Sequence, residues 1–170
     1  MRDEISHVVL PGTYDPITLG HLDVIQRAVR LFPKVTVGVA ASRAKRGVGT
    51  VFSQEERADL IRQSLEELHV EGVNVAPFDG LLVDFCHSIG AGGVVKGLRA
   101  TTDFEYELQQ ADLNAHLAPD LESVFVMASP KYGYVSSSIV RELSSLGSPS
   151  VDGLVTACVA RSLKERYANR

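Results

Sequence analysis

The chain has little that would tie it to the cell exterior or to a bilayer. It carries two cysteines, Cys86 and Cys158, far apart and without C-x-x-C spacing. A disulfide framework is therefore not expected, and a reducing cytoplasm fits. The five histidines, at 7, 21, 69, 87 and 116, show no ligand-like spacing with the cysteines, which argues against zinc. Cys86 and His87 are adjacent, so on a helix they would point about 100° apart. No apolar run approaches the roughly 20 residues that span a bilayer. The opening Met-Arg-Asp-Glu lacks the basic-then-apolar order of a signal peptide. Basic residues are in deficit, 17 Lys and Arg against 21 Asp and Glu, for a net charge of −4. A broad nucleic-acid-binding face is not expected from that balance, although a local basic cluster can still hold a polyphosphate. A soluble, cytoplasmic protein with no nucleic-acid or membrane partner is the expectation.

What is present reads as one ordinary globular domain over residues 1–170, with 45% hydrophobic and 22% charged residues. Apolar runs at Ile5–Leu10, Val35–Ala41, Val73–Pro77, Gly93–Lys96 and Val124–Ala128 read as strands. Helical spacing is found over Leu22–Phe32, from Ser53 to Leu68, over Leu81–Ile89, and in Phe104, Leu108, Ala111 and Ala115, which share one face. Ser53 with Glu56 spells a capping box, and Gly90 ends the third helix. Ser138–Leu146 and Val151–Tyr167 close the chain as helices around the breaker Gly147-Ser148-Pro149. The order βαβαβαβαβαα predicts an α/β, Rossmann-like fold, an open five-stranded parallel sheet with helices on both faces. Strands one, two, four and five lack polar alternation, as expected for burial on both faces. A strand order of 3-2-1-4-5 would make strands one and four neighbours at the point where the order reverses. Ligands bind there in such sheets.

Three motifs sit near that point. Pro11-Gly12-Thr13-Tyr14-Asp15-Pro16-Ile17-Thr18-Leu19-Gly20-His21 runs from the first strand into the first helix. Strand, tight loop and helix start present backbone N–H groups and a positive dipole end to a phosphate, with His21 at that start. Lys96-Gly97-Leu98-Arg99-Ala100 follows the fourth strand, and Asp103-Phe104-Glu105-Tyr106-Glu107 follows it in turn. Gly97 permits close backbone approach, and Arg99 suits a phosphate. Tyr134-Val135-Ser136-Ser137-Ser138 opens a helix whose first N–H groups and hydroxyls can bind phosphate. Each piece also has a plainer reading: His21 in a structural hydrogen bond, Thr13 closing a turn, Glu107 on a helix surface, Leu82 in the core, the serines as an N-cap, and Arg43-Ala44-Lys45-Arg46 as solvated loop charge.

Taken together, the motifs resemble the phosphopantetheine adenylyltransferases of the nucleotidyltransferase superfamily, from about Val8 to about Leu146. The resemblance implies transfer of the adenylyl group of ATP to 4′-phosphopantetheine, releasing pyrophosphate. His21 would be the catalytic donor. Thr13, Lys45, Leu82 and Lys96 would bind the acceptor, with Arg43 and Arg46 open as alternatives to Lys45. ATP would meet Thr13, Tyr14, His21, Gly97, Leu98, Arg99, Glu107, Tyr132, Gly133, Tyr134, Val135, Ser136, Ser137 and Ser138. Mg2+ would arrive on the ATP phosphates, since no carboxylate pair has metal-ligand spacing. A homohexamer and feedback by coenzyme A are also implied. The chain departs from the family in Tyr14 for phenylalanine, in Lys96 for arginine, in an insertion within Gly47–Thr50, and in Ser150-Val151-Asp152-Gly153-Leu154 before the last helix. A nucleotidyltransferase for another acceptor such as nicotinate mononucleotide, and a non-catalytic nucleotide or coenzyme A sensor, stay open as alternatives.

Overall fold

The computed structural model describes residues 4–42, 49–99 and 101–168. Five strands, β1 (His7–Gly12), β2 (Lys34–Ala40), β3 (Val73–Phe78), β4 (Gly93–Leu98) and β5 (Glu122–Met127), form one sheet. Their order is β3-β2-β1-β4-β5, and neighbours run parallel, as in Leu10 opposite Val37, Val9 opposite Val94 and Val95 opposite Val124. The expected 3-2-1-4-5 order is the observed one, so β1 and β4 sit side by side where the order reverses.

Helices α1 (Leu19–Leu31), α2 (Gln54–Glu67), α3 (Leu82–Ser88), α4 (Thr101–Leu117), α5 (Ser137–Ser145) and α6 (Ala157–Ala168) complete the chain. Val8, Leu10, Val35, Val37 and Val39 of the central strands pack with Leu22 and Ile25 of α1, Ile61 of α2 and Leu163 of α6 in the larger core. On the opposite face Val9 and Val94 meet Val83, Cys86 and Leu121. Buried valines on both faces explain why β1 and β2 read as unbroken apolar runs. α2 starts as its sequence says: the Ser53 hydroxyl accepts from Glu56 N–H at 3.2 Å, and the Glu56 carboxylate accepts from Ser53 N–H at 2.7 Å. Gly90 closes α3 at φ 69°, a left-handed conformation that glycine adopts without a Cβ penalty.

Two expectations are corrected, one for the end of the chain and one for β5. The final segment is not one helix from Val151: a 3-10 turn spans Pro149–Gly153, and α6 begins at Ala157. The Glu67 carboxylate supplies the reason, because it accepts from Ala157 N–H at 2.9 Å and Cys158 N–H at 3.2 Å and so caps a fresh helix start from α2. The face of α4 carrying Phe104, Leu108, Ala111 and Ala115 is largely open, with Phe104 and Leu108 exposed by 40% and 42%. β5 is accordingly half-buried along its length rather than enclosed. It is an edge strand, and α4 covers it only in part, through contacts such as Phe104 on Phe125 at 5.9 Å.

Candidate active site

A cavity of about 250 Å³ opens at the carboxyl ends of β1 and β4, lined by Gly12, Thr13, Tyr14 and His21 from one strand's loop and Lys96, Gly97, Arg99 and Glu107 from the other's. The first two sequence motifs converge there because the sheet order makes their strands neighbours.

The loop after β1 is held from several directions. Tyr14 takes φ 51° and is buried. Its hydroxyl donates to the Leu10 carbonyl at 2.9 Å, and burial pushes its pKa up. Its ring stands edge-on to His21, with centroids 5.1 Å apart. It also occupies the space a Cβ on Gly12 would need, 2.9 Å away. The backbone carbonyls of the loop face protein donors: Arg57 Nη1 to Thr13, Arg141 Nη1 to Asp15, and the Ser137 hydroxyl to Pro16. The buried Asp15 carboxylate accepts from Val51 and Phe52 N–H at 2.9 and 3.0 Å.

His21 is the third helical residue of α1 and part of its cap. The Thr18 hydroxyl accepts from His21 N–H, and His21 Nδ1 accepts from Thr18 N–H at 3.1 Å, an imidazole version of the capping box. An N–H donating to Nδ1 requires a lone pair there, so the ring proton resides on Nε2. Burial, and secondarily the charge of Arg99, bring the imidazole pKa down to about 4. At neutral pH the residue is an uncharged Nε2–H donor at the cavity wall.

On the β4 side, the Lys96 ammonium lies 3.3 Å from Glu107 Oε2, and both are mostly buried. Among the described residues that oxygen has no hydrogen-bond partner, so the contact is one of charge. Arg99 donates through Nε to Asp103 at 3.2 Å and through Nη1 to the Val135 carbonyl at 2.8 Å. Gly97 lines the cavity, but its missing Cβ is also demanded by packing, since a Cβ would lie 2.7 Å from Val24 Cγ2. Leu98 is buried and does not line the cavity.

The structure does not bring every expected residue to this cavity. Leu82 lines a neighbouring cavity of about 220 Å³, to which Lys96 also contributes, so Lys96 stands between the two. Tyr132, Gly133, Tyr134, Val135, Ser136, Ser137 and Ser138 lie off the main cavity wall and reach it through the Arg99–Val135 contact. Of the three serine hydroxyls, only that of Ser137 donates to a partner among the described residues. Ser136 caps α5 by accepting from Ile139 N–H at 3.2 Å, Ser137 donates to Pro16 at 2.7 Å, and Ser138 accepts from Arg141 at 3.3 Å. What this turn offers an anion is its backbone N–H groups and the O–H donors of Ser136 and Ser138, which only accept in these bonds. Lys45, with its alternatives Arg43 and Arg46, lies outside the described residues. Among the described residues, no group of three or more His, Cys, Asp or Glu could hold a metal ion, and no helix is long and apolar enough to cross a membrane.

Sequence reasoning missed the supports: Thr18 as partner of the His21 ring, the Asp15–Arg57 network, Arg141, and Asp23, which accepts from Ser129 N–H at 3.0 Å and so ties α1 to the end of β5. One signal was available. Arg57 falls at helical spacing with Ile61, Ser64 and Leu68, on the face that should be apolar.

The chain matches the cytidylyltransferase-like family over residues 9–143. It is 50% identical over 159 residues to the phosphopantetheine adenylyltransferase of Moorella thermoacetica, covering 94% of this chain and 96% of that one. It is 47% identical over 160 residues to the enzyme of the same name from Geobacter sulfurreducens, covering 94% of each. A solved bifunctional NMN adenylyltransferase/ADP ribose pyrophosphatase from Francisella tularensis shares the fold at a TM-score of 0.72 and 15% identity, over 97% of this chain and 52% of that one.

Proposed function

The chain belongs to the cytidylyltransferase-like family and, within it, to the phosphopantetheine adenylyltransferases, and from that premise we propose that it joins the adenylyl group of ATP to 4′-phosphopantetheine, releasing pyrophosphate and forming 3′-dephospho-coenzyme A. The observation that carries the reading is the neutral, Nδ1-anchored His21 at a cavity shared by the β1 and β4 motifs. The acceptor phosphate oxygen attacks the α-phosphorus of ATP in line. A P–O bond forms there as the bond to the pyrophosphate oxygen breaks. The acceptor's second pKa is about 6, so it arrives ionised and needs no general base. The protein's part is to position both substrates and to stabilise charge. His21 donates its Nε2–H to an α-phosphate oxygen as that oxygen gains charge. Arg99 and the N–H groups at the start of α5 hold the β- and γ-phosphates. Tyr14 N–H and the backbone at Gly97 and Leu98 support ATP, with Tyr132, Gly133, Tyr134 and Val135 leading into that turn. Glu107 faces the nucleotide, Thr13, Lys45 and Lys96 take the acceptor phosphate, and Leu82 lines the pocket of its pantetheine arm.

Mg2+ would be held on the ATP phosphates, where it would supply charge neutralisation. The carboxylates of Asp103 and Glu107 are already turned to Arg99 and Lys96, which fits a metal held by phosphates and water. A cytoplasmic homohexamer with coenzyme A as a feedback ligand completes the proposal. The support for assembly is the exposed apolar surface of α4, with Leu108 on one side and Leu113 and Leu117 on the opposite side, each 42–50% exposed. Pyrophosphate release with 4′-phosphopantetheine, set against nicotinate mononucleotide, tests the acceptor. Release with the first alone is expected. Release with nicotinate mononucleotide alone would move the acceptor assignment, and release with neither would favour a sensor.

A further inference from the structure

Arg57 carries a buried charge that the proposed chemistry does not use. The residue is 2% exposed, and it sits on α2 behind the cavity rather than in its wall. Its guanidinium reaches three backbone carbonyls from three segments: Thr13 in the loop after β1, Ala40 at the end of β2, and Phe52 ahead of α2. Asp15 completes the network from the other side by taking the N–H groups of Val51 and Phe52. Burying a guanidinium costs free energy that good hydrogen bonds must offset. Holding those segments together needs only polar atoms of ordinary kind, whereas one planar fork spanning all of them fixes their relative orientation.

The Thr13 contact has a consequence inside the cavity. The Thr13–Tyr14 peptide is trans, and in a planar trans peptide the C=O and the following N–H point in opposite directions. Arg57 grips the carbonyl from behind the wall, so the Tyr14 N–H is turned away from Arg57. The same grip fixes the Thr13 backbone and hence the origin of its side chain, which lines the cavity. Tyr14 sits at φ 51°, a conformation uncommon for a residue with a side chain, so this peptide needs an external hold to keep its plane.

We propose that Arg57 is a positioning residue for the transfer reaction, acting through the Thr13–Tyr14 peptide to aim the Tyr14 N–H and the Thr13 hydroxyl at the reacting phosphates. The proposal rests on the adenylyl-transfer reading above. Lysine at this position keeps the charge but replaces the fork with a single ammonium, which cannot hold carbonyls of three segments in one plane.

The test is steady-state turnover of Arg57→Lys, Thr13→Ala and the double variant with ATP, Mg2+ and 4′-phosphopantetheine, well below each protein's melting temperature. Arg57→Lys is expected to lose about 10²-fold in kcat, the usual consequence of misplacing a reacting group by about 1 Å. In the Thr13→Ala background the same change is expected to cost less, because the part of the loss that runs through the Thr13 hydroxyl is already gone, while the part that runs through the Tyr14 N–H remains. A folded Arg57→Lys with kcat within about threefold of wild type, or losses that multiply in full, would overturn the proposal, because independent sites add within about that margin. Should Arg57→Lys not fold, Arg57→Gln, which puts no charge at this buried position and keeps an amide donor, is measured in the same way. Failure of both to fold would make Arg57 a fold-holding residue only and overturn the proposal as well. Absence of turnover in wild type would instead remove the adenylyl-transfer reading, so the two failures are distinct.

Discussion

The state of His21 makes the sharpest prediction. Its Nδ1 accepts from Thr18 N–H, and burial with the nearby Arg99 charge holds the ring pKa at about 4. The donor is therefore the neutral Nε2–H across the working range. At saturating substrates kcat should stay level from about pH 7 upward, and any fall below that should follow the acceptor phosphate, whose second pKa is about 6, and not the His21 ring. His21→Ala removes one charge-stabilising donor and should lower kcat about 10²–10³-fold, or about 3–4 kcal/mol, with ATP affinity nearly unchanged. The same geometry sets a stability trend. The unfolded chain binds the ring proton below about 6.5, whereas the folded one resists it until about pH 4. The resulting penalty is absent above 6.5, grows as pH falls between these values, and levels off below them at up to about 3 kcal/mol. Protonation would also set two N–H groups against each other at Thr18. Ring-nitrogen NMR through a pH titration reads tautomer and pKa directly, beside the kcat profile. An Nδ1–H tautomer, a titration near 6.5 coupled to kcat, or a His21→Ala loss below tenfold would refute the reasoning.

Thr18→Ala removes the cap hydroxyl that accepts from His21 N–H; it should cost about 1 kcal/mol in a denaturant melt and lower kcat further than that stability loss explains. Gly97→Ala places a Cβ 2.7 Å from Val24; it should destabilise by about 1–3 kcal/mol, and Val24→Ala in the same chain should recover part of the loss. Glu67 caps α6, and its bonds to Ala157 and Cys158 N–H hold its pKa below the usual carboxylate value. Its contribution is present above the unfolded pKa and lost as pH falls through the folded one, so thermal melts of Glu67→Gln should converge on wild type in acid.

Much of the arrangement was legible because its signals are local. Ser53 and Glu56 lie three residues apart and make the capping box their spacing spells. The valines of β1 and β2 carry the two-sided burial of central strands, and the βα alternation points to a parallel sheet. The start of α6 was not legible, because Glu67 caps it from 90 residues away and no window around Val151–Ala157 contains that carboxylate. The open face of α4 escaped for a different reason: helical periodicity says which residues are apolar, not what covers them. At the site, the phosphate-facing residues lie in contiguous motifs that sequence displays. Their supports, Arg57 on Thr13 and Arg141 on Asp15, join residues 44 and 126 positions apart. Of the serines at 136–138, Ser137 also has a structural partner that no local motif displays, donating to Pro16, while Ser136 caps α5 by accepting from Ile139 N–H.

The central claim is a direct transfer in which the protein positions and stabilises but never carries the adenylyl group. The stereochemical course at the α-phosphorus tests it most directly, using ATP chiral at that centre through a sulfur substitution, 4′-phosphopantetheine as acceptor and 31P NMR of the product. One in-line displacement predicts inversion. Retention would mean two displacements through an adenylylated side chain, and would contradict the account.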